Sequence, residues 1–356
     1  MFSLEQFISK HVTKRPASMF KADIEANREA LSQKIKGKSV LVIGGAGSIG
    51  SSFIKAILPF KPETLVVVDT NENALAELTR DLRSSKGMYV PEDYLPYPMD
   101  FASPVFEKMF RNRGGFNIVG NFSAHKHVRS EKDIYSVEAL LQNNVLHAKL
   151  ILDLLSEFPP EEYFCVSTDK AANPVNIMGA SKRIMEDVIF SYSDKFPVKT
   201  ARFANVAFSN GSLPAGFLAR IQKLQPLSAP SDVRRYFVSP EESGQICLLS
   251  CILGENRAIF FPKLEEAQMM TFDGIARSLL EKHGYEVLEC DSDAEAIDKA
   301  EELQSGSNLY PVHFSASDTS GEKPFEEFVT DTETADYDRF SSLGVIIPKN
   351  RKIHMC

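Results

Sequence analysis

No long block of Lys or Arg occurs in this chain of 356 residues, and acidic residues outnumber basic ones 48 to 40, giving a formal net charge of −8. That balance argues against nucleic acid as the main partner and leaves room only for a local basic pocket. No apolar run reaches the roughly 18 residues that span a bilayer, and no secretory signal opens the chain. A cytoplasmic protein without membrane insertion is expected. Cysteine is sparse: Cys165, Cys247, Cys251, Cys290 and Cys356 are scattered, odd in number, and form no pair of pairs. Buried thiols in a reducing compartment are the reading that fits. His125 and His127 stand two apart beside Lys126 with no third ligand at a recognised spacing, so no metal is expected.

What remains is an ordinary apolar fraction, 43 % of residues, in a chain too long for one minimal core. One large α/β domain with an appended lobe, or two domains, would accommodate it. Apolar runs such as "SVLVIGG", "TLVVVDT", "FNIVGNFSA" and "YFCVSTD" alternate with segments of helical period such as "SIGSSFIKAIL" and "NALAELTRDLR". Strands without polar alternation, each followed by a helix, predict a parallel sheet covered on both faces. "VKTARFANV" is expected to be one further strand. Residues 1–36 read as an N-terminal helical extension, 37–205 as a Rossmann-like doubly wound domain, 206–345 as a smaller α/β substrate lobe interleaved with it, and 346–356 as a tail. "RAIFFPK" is expected as a strand of that lobe, and the acidic "LECDSDAEAIDKAEELQSGS" as a solvated surface insertion.

Between the first strand and the first helix, Gly44, Gly47 and Gly50 stand in a G-x-x-G-x-x-G register. A tight turn there needs residues without Cβ, and the helix start offers N–H groups and a positive dipole end to a pyrophosphate. Asp69 follows at the end of the second strand, where an acid accepts hydrogen bonds from an adenosine ribose and repels a 2′-phosphate. NAD is therefore expected over NADP. Asp100 ends the next run, where an acid or its neighbour's backbone meets the adenine.

A second constellation is "STDKAANPVNIMGASKR". Thr168, Asp169 and Lys170 close an apolar run, and Lys182 lies four residues after Met178, where a Tyr-x-x-x-Lys pair would have its phenol. The glycine register resembles that of the extended short-chain dehydrogenase/reductase superfamily. The second stretch narrows this to a resemblance with the nucleotide-sugar 4,6-dehydratases of polysaccharide biosynthesis, in particular UDP-N-acetylglucosamine 4,6-dehydratases. "AHKHVRSEK", with Arg129 in the usual proline position, "NNVLHAKLILD", "DVRRYFVSPEES" and "SGEKPFEEF" are similar to that family's segments and come in matching order over residues 37–335. The family has a Tyr branch, which inverts C5 of the sugar, and a Met branch, which retains it. This chain resembles the Met branch, whose members often carry a membrane-spanning region and an extra domain; neither is expected within these residues.

The resemblance implies a lyase that binds NAD and a UDP-sugar and associates as a homo-oligomer. C4 of the sugar is oxidised, the C5 proton leaves, water is expelled from C6, and C6 is reduced. It implies Thr168, Asp169, Lys170 and Lys182 as catalytic residues, with Asp169 the acid and Lys170 the base. Gly44, Gly47, Ser48, Ile49, Asp69, Asp100, Phe101, Ala124, Asn144 and Lys182 would hold the cofactor. Lys126, Asn173, Asn205 and Arg235 would hold the substrate. Met178 can neither accept nor donate a proton and is at most a packing wall. Ala204, Ala207 and Phe208 stand where the family commonly has a glycine-rich segment, which affects the sugar pocket. A 4-epimerase on the same scaffold, or a non-catalytic NAD-binding protein, are the alternatives. The first normally keeps the tyrosine, and against the second stands the intact Thr-Asp-Lys set.

Overall fold

Val40, Leu41, Val42 and Ile43 are buried one after another, as in a strand covered on both faces. They belong to β1 (Ser39–Ile43) of a computed structural model that describes residues 2–127, 133–317 and 326–347. The same burial recurs in β2 (Thr64–Asp69), β4 (Ile118–Asn121), β5 (Glu162–Val166) and β6 (Val198–Ala201), while β3 (Asp93–Pro98) lies at an edge. Three later strands, β7 (Ile259–Pro262), β8 (Ala335–Asp336) and β9 (Leu343–Ile346), complete one nine-stranded sheet in the order β3-β2-β1-β4-β5-β6-β7-β9-β8. The pairings from β3 through to β7 are parallel, and β9 runs antiparallel to both β7 and β8. β1 pairs with β2 on one side and β4 on the other, so the winding reverses there. In an open parallel sheet that reversal, beyond the strand C-termini, is where ligands bind. The fold is Rossmann-like, as the alternation predicts.

Local chemistry explains the covering helices. Pro104–Arg113 begins with Ser103, whose hydroxyl accepts the Phe106 N–H, and with Pro104 in its first turn, and it ends at Gly114 with φ +70°. Its Phe106 and Phe110, four apart, are buried against the sheet. In Glu72–Ser84 the buried residues are Leu75, Leu78 and Leu82, one face of an amphipathic helix capped by Asn71. Pro240–Leu253 has buried residues around its whole circumference, and it leads the chain back to β7.

Two compact units emerge. The larger comprises Met19–Phe203, Pro240–Lys263 and Glu327–Cys356 and contains the nine-stranded sheet. The smaller comprises Met1–Ser18, Ala204–Ser239 and Leu264–Glu326, with Phe217, Ile275, Leu279 and Tyr310 among its core residues and a parallel sheet of Glu286–Glu289, Leu309–Ser315 and Leu227–Pro230. Several expectations change. "RAIFFPK" supplies β7 of the main sheet, because Ile259 and Phe260 pair with Thr200 and Ala201. "VKTARFANV" is two strands: β6 stops at Ala201, and Asn205–Val206 pairs with Phe237–Val238 in the smaller unit. The acidic insertion is anchored, since Ala296, Ala300 and Leu303 are buried between its charged positions. The first 36 residues divide: Phe7, Ile8 and Val12 belong to the smaller core, and Phe20, Leu31 and Ile35 are buried in the larger unit.

Cys165, Cys247, Cys251 and Cys290 are buried and free; Cys356 and the rest of the expected tail beyond Ile347, Arg129, and most of "SGEKPFEEF" lie outside the described residues. Among the described residues no cluster of His, Cys, Asp and Glu could hold a metal, and no helix is long and apolar enough to cross a membrane.

Candidate functional site

Beyond β1 the backbone turns at Gly44, with φ +69° and its N–H donating to the Val68 carbonyl over 2.7 Å. A Cβ on Gly44 would lie 2.6 Å from the Ser123 nitrogen in the loop after β4, so only glycine fits. The helix that follows, Ser48–Ile57, has Gly47 as its N-cap and no side chain capping its first turn. An uncapped helix start, approached through a glycine turn, suits an anionic group. Asp69 at the end of β2 is held beside this loop: Oδ2 accepts the Ala46 N–H at 3.0 Å and Oδ1 the Asn71 N–H at 2.9 Å. Gly44, Gly47, Ser48, Ile49 and Asp69 thus form one continuous edge, and the residues present fit a dinucleotide.

Asp100 and Phe101 lie just past β3. Asp100 is exposed and accepts the Ala102 N–H, while Phe101 is buried. Past β4 the chain passes Ala124 to His125, whose N–H donates to Asn144 Oδ1 and whose carbonyl accepts from Asn144 Nδ2, both at 2.9 Å. Asn144 is itself buried and also donates to Ser181 Oγ at 3.1 Å. Its amide therefore ties the β4 loop to the helix that carries Lys182. Lys126 is exposed by surface area, yet desolvation pulls its ammonium below the usual lysine value. His125 is lowered as well, by desolvation first and then by the nearby His147 and Lys182.

Past β5, Thr168 caps a short turn, Asp169–Ala171. Its hydroxyl donates to Asp169 Oδ1 at 2.7 Å, and Lys170 Nζ stands 3.4 Å from both Asp169 oxygens. Asp169 is buried, and the Lys170 side chain keeps 21 % exposure. The next helix, Ile177–Phe190, is capped by Asn176. It approaches this turn so closely that a Cβ on Gly179 would lie 2.6 Å from the Lys170 carbonyl. Met178, in its first turn, is buried. Lys182 is buried too, its Nζ 3.1 Å from the Val166 carbonyl and 3.7 Å from the Met185 sulfur; desolvation holds it below the usual lysine value. All of the expected catalytic residues and cofactor-binding residues therefore lie at or just beyond the C-terminal ends of β1 to β5.

The expected substrate residues divide between the units. Lys126 and Asn173 belong to the larger, where exposed Asn173 donates to Glu327 at 3.1 Å. Asn205 and Arg235 belong to the smaller. There Asn205 Nδ2 donates to Glu326 Oε1 at 2.5 Å, Glu326 Oε2 accepts the Tyr236 N–H, and buried Arg235 lies 4.0 Å from the same carboxylate. Phe208 has φ +55°, a strained conformation for an aromatic residue, and packs edge-on against Phe7.

One set of residues escaped the sequence reading. Arg202 is fully buried at the end of β6. Its Nε and Nη2 donate to Glu186 at 3.0 and 2.8 Å, and its Nη1 to Glu333 at 2.6 Å. Glu186 Oε1 also accepts from Ser167 Oγ at 2.7 Å. Glu186 lies four residues after Lys182 on the buried helix face, and Ser167 immediately precedes Thr168. The network fastens the strand end that leads into the Thr168–Lys170 turn to the helix. Its signal was a second charged residue, Glu186, four after Lys182 and so on the same helix face.

A family model described as polysaccharide biosynthesis protein matches residues 40–347. An uncharacterized membrane protein of Methanocaldococcus jannaschii is 28 % identical over 341 residues, 91 % of each chain. A UDP-N-acetylglucosamine 4,6-dehydratase (inverting) of Campylobacter jejuni is 23 % identical over 301 residues, 82 % of each chain, and a UDP-glucose 4-epimerase of Rickettsia bellii is 24 % identical over 311, 82 % of this chain and 87 % of the epimerase. Among solved structures, DesIV of Streptomyces venezuelae, a dTDP-glucose 4,6-dehydratase with NAD bound, superposes with a TM-score of 0.60 at 18 % identity, over 82 % of this chain and 88 % of that one. That likeness carries the fold.

Proposed function

Because this chain belongs to the polysaccharide biosynthesis protein family, we propose that it modifies a nucleotide sugar, as an NAD-dependent UDP-N-acetylglucosamine 4,6-dehydratase that retains the configuration at C5. One observation carries the reading: a buried Met178 in the phenol position, beside a Thr168–Asp169–Lys170 cluster already hydrogen-bonded into one unit. A 4-epimerase would need a proton carrier where this thioether stands. The glycine edge and Asp69 would hold the dinucleotide, with the acid disfavouring a 2′-phosphate. The bound dinucleotide supplies the hydride acceptor for C4 and the donor for C6.

The chain's own residues handle the protons. Asp169 and Lys170 rest as an ion pair at 3.4 Å. Moving one proton from Lys170 Nζ to Asp169 yields a neutral acid and a neutral base without changing net charge. Covering the remaining exposure with a sugar favours that neutral pair, since desolvation penalises charge. Lys170 then takes the C5 proton, made acidic by the C4 ketone, and Asp169 protonates the C6 hydroxyl as it leaves as water. As the hydride reaches C6, Lys170 returns a solvent-exchanged proton to the same face of C5; the proton released from the C4 hydroxyl at oxidation passes to solvent, and one solvent proton taken up by Lys170 restores the ion pair. Thr168 orients Asp169 and is within reach of the sugar's C4 hydroxyl in this reading. Lys182 adds positive charge near the nicotinamide ribose.

The test is product analysis after incubation with UDP-N-acetylglucosamine and NAD in deuterated water. Loss of one water, with deuterium at a C5 of unchanged configuration, is expected, and Lys170→Ala should abolish that incorporation while dinucleotide binding persists. An unchanged mass with inverted C4 would instead mean an epimerase and overturn the reading. Inverted C5 would overturn the assignment to the Met branch.

A further inference from the structure

The Asp169 N–H donates to the Phe203 carbonyl over 3.3 Å, so the chain just past β6 lies against the Thr168–Lys170 turn. Asn205 follows two residues later, and bonded geometry keeps its Cα within about 7 Å of that of Phe203. From there the backbone of the smaller unit is held by very short ladders. Asn205–Val206 pairs with Phe237–Val238, and Arg234–Arg235 pairs with Met270–Thr271, two residues to each strand. Ladders of that length supply few hydrogen bonds of their own. One buried carboxylate of the same unit adds what they lack. Glu326 Oε1 accepts from Asn205 Nδ2 at 2.5 Å, and Oε2 accepts the Tyr236 N–H at 3.1 Å. The Tyr236 carbonyl in turn accepts the Asn205 backbone N–H at 3.1 Å and Nδ2 at 3.4 Å, which closes a ring. Beside it, Arg235 Nε stands 4.0 Å from Glu326 Oε1, and Arg235 Nη1 donates to the Arg234 carbonyl at 2.8 Å.

Both oxygens of Glu326 face donors. A neutral amide of the same shape would serve one of them and turn its own NH2 on the other. A buried carboxylate also costs desolvation that an apolar side chain would not, and buried ion pairs add little net stability. What the charge does here is decide an orientation. Only the nitrogen end of the Asn205 amide can face it, and the Arg235 guanidinium is kept beside it. A guanidinium held in one place matches the oxygens of a diphosphate. Resting on the nucleotide-sugar reading above, we propose that Glu326 is a positioning residue for the substrate. It sets the Asn205 amide and the Arg235 guanidinium for the nucleoside diphosphate, and does not itself touch it.

Steady-state kinetics with UDP-N-acetylglucosamine and calorimetric binding of UDP test this on the full-length protein. Glu326→Gln keeps the shape and removes one acceptor. KM and the Kd for UDP should each rise about tenfold, the low end for a hydrogen bond to a charged group. Over the same change kcat should stay within about threefold, the pattern of lost ground-state binding, and NADH should bind as it does to the parent. Glu326→Asp keeps both acceptors on a shorter arm, so its KM and Kd should rise only about two- to fourfold. A role confined to stability would lower the melting temperature of both variants and leave KM and the UDP Kd at their parent values, which would overturn the proposal. A fall in kcat at unchanged KM would overturn it as well. If Glu326→Gln does not fold, Glu326→Asp decides on the same readouts. A parent that binds UDP but does not dehydrate the sugar would bring down the dehydratase reading alone, with the UDP Kd of the variants still deciding the role of Glu326. A parent without affinity for UDP would bring down both.

Discussion

At the tips of β1 and β2 the groups offered to a ligand are mostly backbone: the Gly44 turn, the uncapped start of Ser48–Ile57, and an Asp69 fixed by two backbone N–H groups with acceptor capacity to spare. At the tip of β5 they are side chains, held by other side chains: Thr168 on Asp169, Asp169 on Lys170, and behind them Ser167, Glu186, Arg202 and Glu333. Two candidate sites at one end of the sheet thus rest on different physics. Binding an inert diphosphate asks for shape and fixed dipoles, which glycine and a helix start provide. Moving protons asks for groups that change charge, and these need a rigid, charged buttress to stay aligned.

The sharpest break between the two ends is Asp169→Asn. Turnover should fall by about a hundredfold to ten-thousandfold, the usual worth of general acid catalysis, with NADH affinity unchanged; a parallel loss of NADH binding would mean the two ends are not separable. Arg202→Met comes next. It leaves buried Glu186 and partly buried Glu333 with only Arg183, 3.8 and 3.3 Å away, and should cost about 3 kcal/mol in denaturant unfolding. A loss below about 1 kcal/mol would show that the network is not the buttress described. Asp69→Ala acts at the other end: it frees two N–H groups, should cost about 1–2 kcal/mol in stability, and should erase the preference for NAD over NADP in a titration. Met178→Leu should do least. The swap roughly conserves volume, so less than about 1.5 kcal/mol of stability is at stake, and the rate should stay within about tenfold, under about 1.4 kcal/mol of barrier. A Leu variant as inactive as Asp169→Asn would remove the chemistry from the Thr-Asp-Lys cluster.

The difference between the two ends also decided what could be read from the sequence. The glycine turn and Asp69 are local: strand, turn, helix and second strand follow within some thirty residues, and each piece has a compositional mark. The Thr-Asp-Lys cluster was legible for the same reason. Glu186–Arg202–Glu333 was not, because Glu333 lies 131 residues from Arg202 and nothing local to either announces the other. β7 was recognised as a strand from "AIFF" but assigned to the wrong sheet, since apolar pattern marks a strand and not its partner. The split of "VKTARFANV" was hidden because no glycine or proline punctuates the run where the chain passes from one unit to the other at Phe203 and Ala204.

The main sheet closes late. β7 pairs on one side with β6, but its other neighbour is β9, with Phe260 opposite Val345, and most of the chain between them, Leu264–Glu326, belongs to the smaller unit. During synthesis at roughly 5–20 residues per second, β7 therefore waits on the order of four to sixteen seconds with one backbone edge unpaired. That edge carries Ile259, Phe260 and Phe261, the kind of apolar strand that pairs with other chains when left open. A nascent chain released before Leu343 would present it permanently, so the hazard of self-association falls on incomplete products, and the strand that ends it is only four residues long, Leu343–Ile346.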